Sequence, residues 1–256
     1  MMNRNLGAQL YTLRDYCQTE KDFAETMEKV AKIGYKTIQI SGVGPLSPEF
    51  MRKEADANGL QVVCTHRPLS EFLDNPKELI RFHQVLGTNI AGVGCLRGSY
   101  EETPEGMAEL LKTLSPIVAE LKANGMAFGY HNHACEFKYM GNKWMMDYLI
   151  EETDPEGFVF IPDVYWMAYA GVNPVDYLKK MGKRARVVHF KDLQVTEFST
   201  ITYTEVGQGN LDWKSIIKTC DEIGAQCAVV EQDKCPGNPF DSLQISYHNL
   251  KKLGFN

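Results

Sequence analysis

Eight short apolar runs, each led in by a glycine or a charged turn, recur along this chain: "NLGAQLY", "GYKTIQISG", "GLQVVCTH", "GTNIAGVG", "GMAFGYHNH", "GFVFIPDV", "RARVVHFKD" and "GAQCAVVEQD". Between them lie stretches with apolar residues three and four apart, such as "DFAETMEKVAKIG" and "PEGMAELLKTLSPIVAELKANG", each ending in a glycine where a left-handed helix cap belongs. Strand followed by helix, eight times over in 256 residues, predicts a single (β/α)8 TIM barrel spanning 1–256. A doubly wound open sheet is the main competitor. It would be announced by GxGxxG or GxxxxGK[ST] after the first strand, and neither motif follows it.

Composition excludes several classes of partner. The net charge is −6 and basic residues are scattered, so nucleic acid is not an expected partner. No segment approaches the apolar length of a membrane span, and the opening "MMNRNLGAQLYTLRD" has no secretory apolar stretch, so a cytoplasmic protein is expected. Seven cysteines without a CxxC pair argue for reduced thiols. Self-association into a homo-oligomer is left open.

A barrel carries its chemistry at the C-terminal ends of its strands, where the βα loops converge. Strands five to eight all end in ligand-type residues: His131 and His133, then Asp163, then His189 with Lys191 and Asp192, then Glu231 with Asp233. Strand side chains alternate, which puts His131 on one face with Ala127 and Gly129, Asp163 with Val159 and Ile161, His189 with Val187, and Glu231 with Val229. A lone histidine at a strand end is commonly a hydrogen-bonded structural residue. Four ionisable groups on four successive strands differ, because burying each unpaired costs several kcal/mol and a cation removes that penalty. The mixed set His131, Asp163, His189 and Glu231 suits a divalent Mn, Co, Zn or Fe ion better than calcium.

Other residues are weaker candidates. His66 ends strand three and is as well suited to structure as to substrate. Tyr11, Tyr165 and Trp166 could pack on the CH-rich face of a sugar. His83 and His248 fall in helical stretches and read as structural. The segment "EVGQGNLDW" (205–213) is a glycine loop entering a helix capped by Asp212, and reads equally as a plain βα loop.

The strand-end set, together with "GYHNH", "PDVYWMAYAGVNP", "HFKD" and "VGQGNLDW", resembles the xylose isomerase-like TIM-barrel superfamily, the sugar phosphate isomerases and epimerases. That group also contains inosose dehydratase and endonuclease IV. The resemblance implies a metal held by Glu, Asp, His and Glu from strands five to eight, the two glutamates shuttling the proton. Asp163, His189 and Glu231 fall on the last three positions, while His131 takes the place of the first glutamate. Its implied activity is a metal-dependent sugar isomerase or epimerase that removes a proton α to a carbonyl, with a keto-sugar lyase or dehydratase as the alternative. Endonuclease-like repair and a non-catalytic sugar-binding barrel fit less well. Glu231 is the expected base, helped by His133 or Glu136, with Lys191 neutralising charge. His66, Tyr11 and Trp166 would meet the small sugar substrate.

Overall fold

The computed structural model describes residues 1–96, 98 and 100–256. All eight expected strands form: β1 (Leu6–Gln9), β2 (Thr37–Ile40), β3 (Gln61–Thr65), β4 (Ile90–Val93), β5 (Ala127–His131), β6 (Phe158–Ile161), β7 (Val187–Phe190) and β8 (Cys227–Val230). They pair in parallel in the order β3-β2-β1-β8-β7 and β4-β5-β6. Parallel bridges Phe160 to Ala185 and Asp163 to His189 join β6 to β7. The Arg67 amide donates to Gly92 O at 2.8 Å, which ties the end of β3 to β4 and closes the barrel.

Short polar caps start the outer helices. Ser47, Asn75, Thr103, Asn173 and Asn238 each accept from a first-turn amide, and each is followed by a proline at the helix start. Such a proline lacks the one N–H that would have no partner there. The interior is a small apolar plug of Cys64, Ile90, Ala127, Val159, Ile161, Val187, Cys227 and Val229, the face that strand alternation predicts. Crowding there explains Gly92, where a Cβ would sit 2.1 Å from Thr65 O. Phe128, Phe158, Phe160 and Phe190 face outward and are fully buried in the core.

Two hairpins interrupt the simple repeat. Tyr139–Met140 pairs with Lys143–Trp144 after β5, and Asp192–Thr196 pairs with Thr200–Thr204 after β7. Strand β7 therefore stops at Phe190 instead of running on to Asp192. Buried Asp192 explains the turn: its carboxylate accepts from the amides of Leu193, Gly207 and Gly209 at 2.9, 2.9 and 3.1 Å and from Trp213 Nε1 at 2.6 Å. One side chain thus ties the hairpin to the "VGQGNLDW" loop. The Gly207 and Gly209 amides are spent on it, so they do not form a phosphate cradle.

Asp192→Ala would strand those donors in a buried place. We expect a loss of about 3 kcal/mol in unfolding free energy, since each unmet buried donor costs about 1–3 kcal/mol and water relieves part of it. Denaturant titration measures it, and a loss below about 1 kcal/mol contradicts the assignment.

Candidate metal centre

His131, Asp163, His189 and Glu231 are all buried, and one ligand atom from each lies within 4.8 Å of the others. Each arrives by a different strand end: His131 closes β5, Asp163 follows β6 and caps helix Val164–Tyr169, His189 lies in β7, and Glu231 follows β8. His131 Nε2 is 3.3 Å from Asp163 Oδ2, and His189 Nδ1 is 2.9 Å from Glu231 Oε2.

The surroundings turn the ligand atoms inward. His131 Nδ1 donates to Gly94 O at 3.2 Å, and His189 Nε2 donates to Gln39 Oε1 at 2.7 Å. Asp163 Oδ1 accepts from the Tyr165 and Trp166 amides at 2.9 and 3.3 Å, which leaves Oδ2 for the centre. Partners of this kind fix imidazole orientation at metal sites. Gln39 has no sequence motif; its one signal is a polar residue inside the apolar strand "TIQI".

Lys191 is 1% exposed. Its Nζ donates to Asp233 Oδ1 at 2.7 Å and lies 3.4 Å from Glu231 Oε2 and 3.5 Å from Asp163 Oδ2. Trp166, Tyr203 and Tyr165 box it in, ring centroids 5.0, 5.4 and 5.5 Å away. Burial opposes its charge, but Glu231, Asp163 and Asp233 outweigh burial and raise its pKa. Burial likewise opposes charge on Glu231, yet Lys191 and His189 hold that carboxylate well below the usual range. Three carboxylates, Asp163, Glu231 and Asp233, face one ammonium, so negative charge is in excess at the centre. A divalent cation balances it, so the donor set fits one.

The same geometry sets a pH dependence. Burial alone would push the proton off His131, but the hydrogen bond and charge of Asp163, with Glu231, outweigh it and raise the ring's pKa. A metal must displace that proton. Affinity for Mn²⁺ should therefore fall as pH drops through the raised value, with proton release in calorimetry between buffers of different ionisation enthalpy. Affinity that rises on acidification would contradict this.

The remaining candidates divide. A cavity of about 550 Å³ opens on the centre and is lined by Tyr11, His66, His131, His133, Lys191, Glu231 and Asp233, among others. The His66 ring lies 4.9 Å from His131 and 5.5 Å from His189. His133 stands edge-on to His131 at 4.7 Å, its pKa pushed down to about 3 by burial and by His131. Glu136 does not reach the cavity. Its carboxylate accepts from the Tyr130 hydroxyl at 2.5 Å and the His133 amide at 2.7 Å, on the helix side of β5, so it braces His133. Trp166 is also off the cavity wall, because the Asp163 cap lays its ring between His133, 5.4 Å away, and Lys191. Asp233, named from sequence beside Glu231 at the end of the eighth strand but given no role, holds Lys191, and Tyr203, which comes from the unforeseen hairpin, was not singled out. His83 is structural as expected, its Nδ1 donating to Leu79 O at 2.7 Å and its Nε2 2.7 Å from Thr65 Oγ1.

Fold and centre together define a (β/α)8 barrel whose mouth could hold a metal. Residues 27–252 match the family described as xylose isomerase-like TIM barrel, and the chain belongs to that family. Inosose dehydratase of Clostridium beijerinckii is 23% identical over 277 residues, covering 92% of this chain and 91% of the relative. A sugar phosphate isomerase/epimerase from Parabacteroides distasonis superposes with TM-score 0.80 at 22% identity, covering 100% and 96%. The probable 3-DHS dehydratase AsbF from Bacillus anthracis gives 0.76 at 12% identity, covering 96% and 98%. Among the described residues, no helix is long and apolar enough to cross a membrane.

Proposed function

We propose that the chain is a divalent-metal-dependent dehydratase of a polyhydroxylated ketone, an inosose or a related keto-sugar, removing a proton α to the carbonyl and expelling a β-hydroxyl as water. This replaces isomerisation, the first reading of the sequence, with its alternative. One observation carries it: acid and base gather on the β7–β8 side, where Lys191 Nζ lies 3.4 Å from Glu231 Oε2, while β5 offers the imidazole of His131 at the place where the resemblance implies the first glutamate. The relatives named inosose dehydratase support the same choice.

His131, Asp163, His189 and Glu231 would hold the ion, which would supply Lewis-acid stabilisation of negative charge on the carbonyl oxygen. Glu231 takes the α proton. Lys191 donates a proton to the departing β-hydroxyl as the C–O bond breaks, so the products are an unsaturated ketone and water. Glu231 then returns its proton to Lys191 directly, and both regain their starting charge. His133 and His66, neutral on the opposite wall, orient hydroxyls, and Tyr11 bounds the rim. A screen of inososes, ketoses and keto-glycosides with Mn²⁺ or Co²⁺, following solvent deuterium uptake and ultraviolet absorbance of a conjugated ketone, tests the proposal. Deuterium uptake without any conjugated product would restore the epimerase reading, and neither signal with any substrate would sink both.

A further inference from the structure

Carboxylate oxygens of Asp233, Glu231 and Asp163 lie 2.7, 3.4 and 3.5 Å from Lys191 Nζ. Attraction to that group keeps the ammonium nearby, yet a lysine ends in a compact charge on a flexible four-carbon stem and needs a wall to fix its direction. Two rings of that wall, Tyr165 and Trp166, come from the helix Val164–Tyr169. The third comes from the hairpin after β7, where Tyr203 pairs with Leu193 and its ring centroid lies 5.4 Å from Lys191 Nζ. Tyr203 also stacks on Tyr165 at 4.7 Å with 20° between the planes. It is half-buried while Lys191 is 1% exposed, so the ring meets water and the ammonium does not. Its carrier is pinned at the base, because buried Asp192 accepts from the Gly207 and Gly209 amides and the Trp213 indole.

We infer that Tyr203 is a positioning residue for Lys191: its ring, by cation–π contact and by shutting out water, holds the ammonium against Asp233 and beside Glu231. The inference rests on the proposed dehydratase chemistry and gives the hairpin a part in it. Removal of the α proton belongs to Glu231 after β8, which the hairpin does not carry. Donation to the departing hydroxyl belongs to Lys191, so the hairpin governs whether proton abstraction goes on to loss of water. The ring is the working part of Tyr203, since its contacts with Lys191 and Tyr165 are made by the aromatic face.

Tyr203→Ala and Tyr203→Phe in the metal-loaded full chain test it by two readouts. Acetylation of Lys191 by acetic anhydride, read by mass spectrometry, should rise at least ~10-fold in Tyr203→Ala and stay within ~2-fold of wild type in Tyr203→Phe, because only the first removes the ring. With an inosose, the ratio of water loss to α-deuterium exchange should fall at least ~10-fold in Tyr203→Ala and recover in Tyr203→Phe, since a positioned acid is lost and regained. A merely structural role would lower both reactions together and leave their ratio alone. Tyr203→Leu is the second variant should Tyr203→Ala fail to melt cooperatively. Unchanged acetylation, an unchanged ratio, or a Tyr203→Phe protein that behaves like Tyr203→Ala overturns the inference. Wild type that exchanges deuterium without losing water sinks the dehydratase reading, while acetylation still scores the placing of Lys191, so the two can fail apart.

Discussion

Glu231→Gln is expected to lower α-proton exchange at least ~10³-fold while the protein still takes up metal. Glutamine keeps a carbonyl oxygen for a cation but cannot accept a proton near neutral pH, and loss of a positioned base costs about 10²–10⁴ in rate. Lys191 remains beside it, 2.7 Å from Asp233, so the variant's ammonium keeps a partner. Metal content should be measured on the same sample, because only the metal-replete variant separates binding from chemistry. Wild-type exchange by that protein would remove Glu231 as the base and make His133 the next candidate, Glu136 being held away by Tyr130. Restoring a carboxylate on the opposite strand with His131→Glu should in turn raise return of deuterium to unreacted substrate.

The second large effect concerns the ion. Asp163→Asn and His189→Ala should each weaken Mn²⁺ binding by ~10²-fold or more, since removing even an outer-sphere partner of a ligand typically costs 10–100-fold. Asp163 makes the sharper test. Its Oδ1 caps helix Val164–Tyr169 while Oδ2 faces the centre, and asparagine is as good a cap but offers an NH₂ in place of one oxygen. The barrel should therefore fold normally while affinity falls. Calorimetric titration with a parallel melting curve separates the two outcomes, and unchanged affinity in both variants would take these residues out of the centre.

What the sequence shows and what it hides follow from the range of the interactions. The eight strands are legible because each is a local apolar run bounded by its own turn. The convergence of His131, Asp163, His189 and Glu231 is legible because a closed barrel brings consecutive strand ends together and alternation assigns their faces. Gln39 escapes such reading, since its role depends on β2 lying across the barrel from β7, 150 positions away. Asp192 looks like one more strand-end ligand until the fold shows its carboxylate filled by amides up to 19 residues downstream. Glu136 fails for the opposite reason. It is near the motif in sequence, yet the short helical turn Cys135–Phe137 carries it to the far side of β5 beside Tyr130. Tyr203 was hidden because the hairpin that carries it, Asp192–Thr196 with Thr200–Thr204, lies outside the eight strand–helix repeats read from the sequence.

The most direct test is mass spectrometry of metal-loaded wild type incubated with an inosose or keto-glycoside in deuterium oxide. The proposed dehydratase gives a product short of one water, formed only when Mn²⁺ or Co²⁺ is supplied and absent with Glu231→Gln. Recovery of an intact ketone, deuterated and inverted at the α carbon with no water lost, would contradict elimination and make the protein an epimerase.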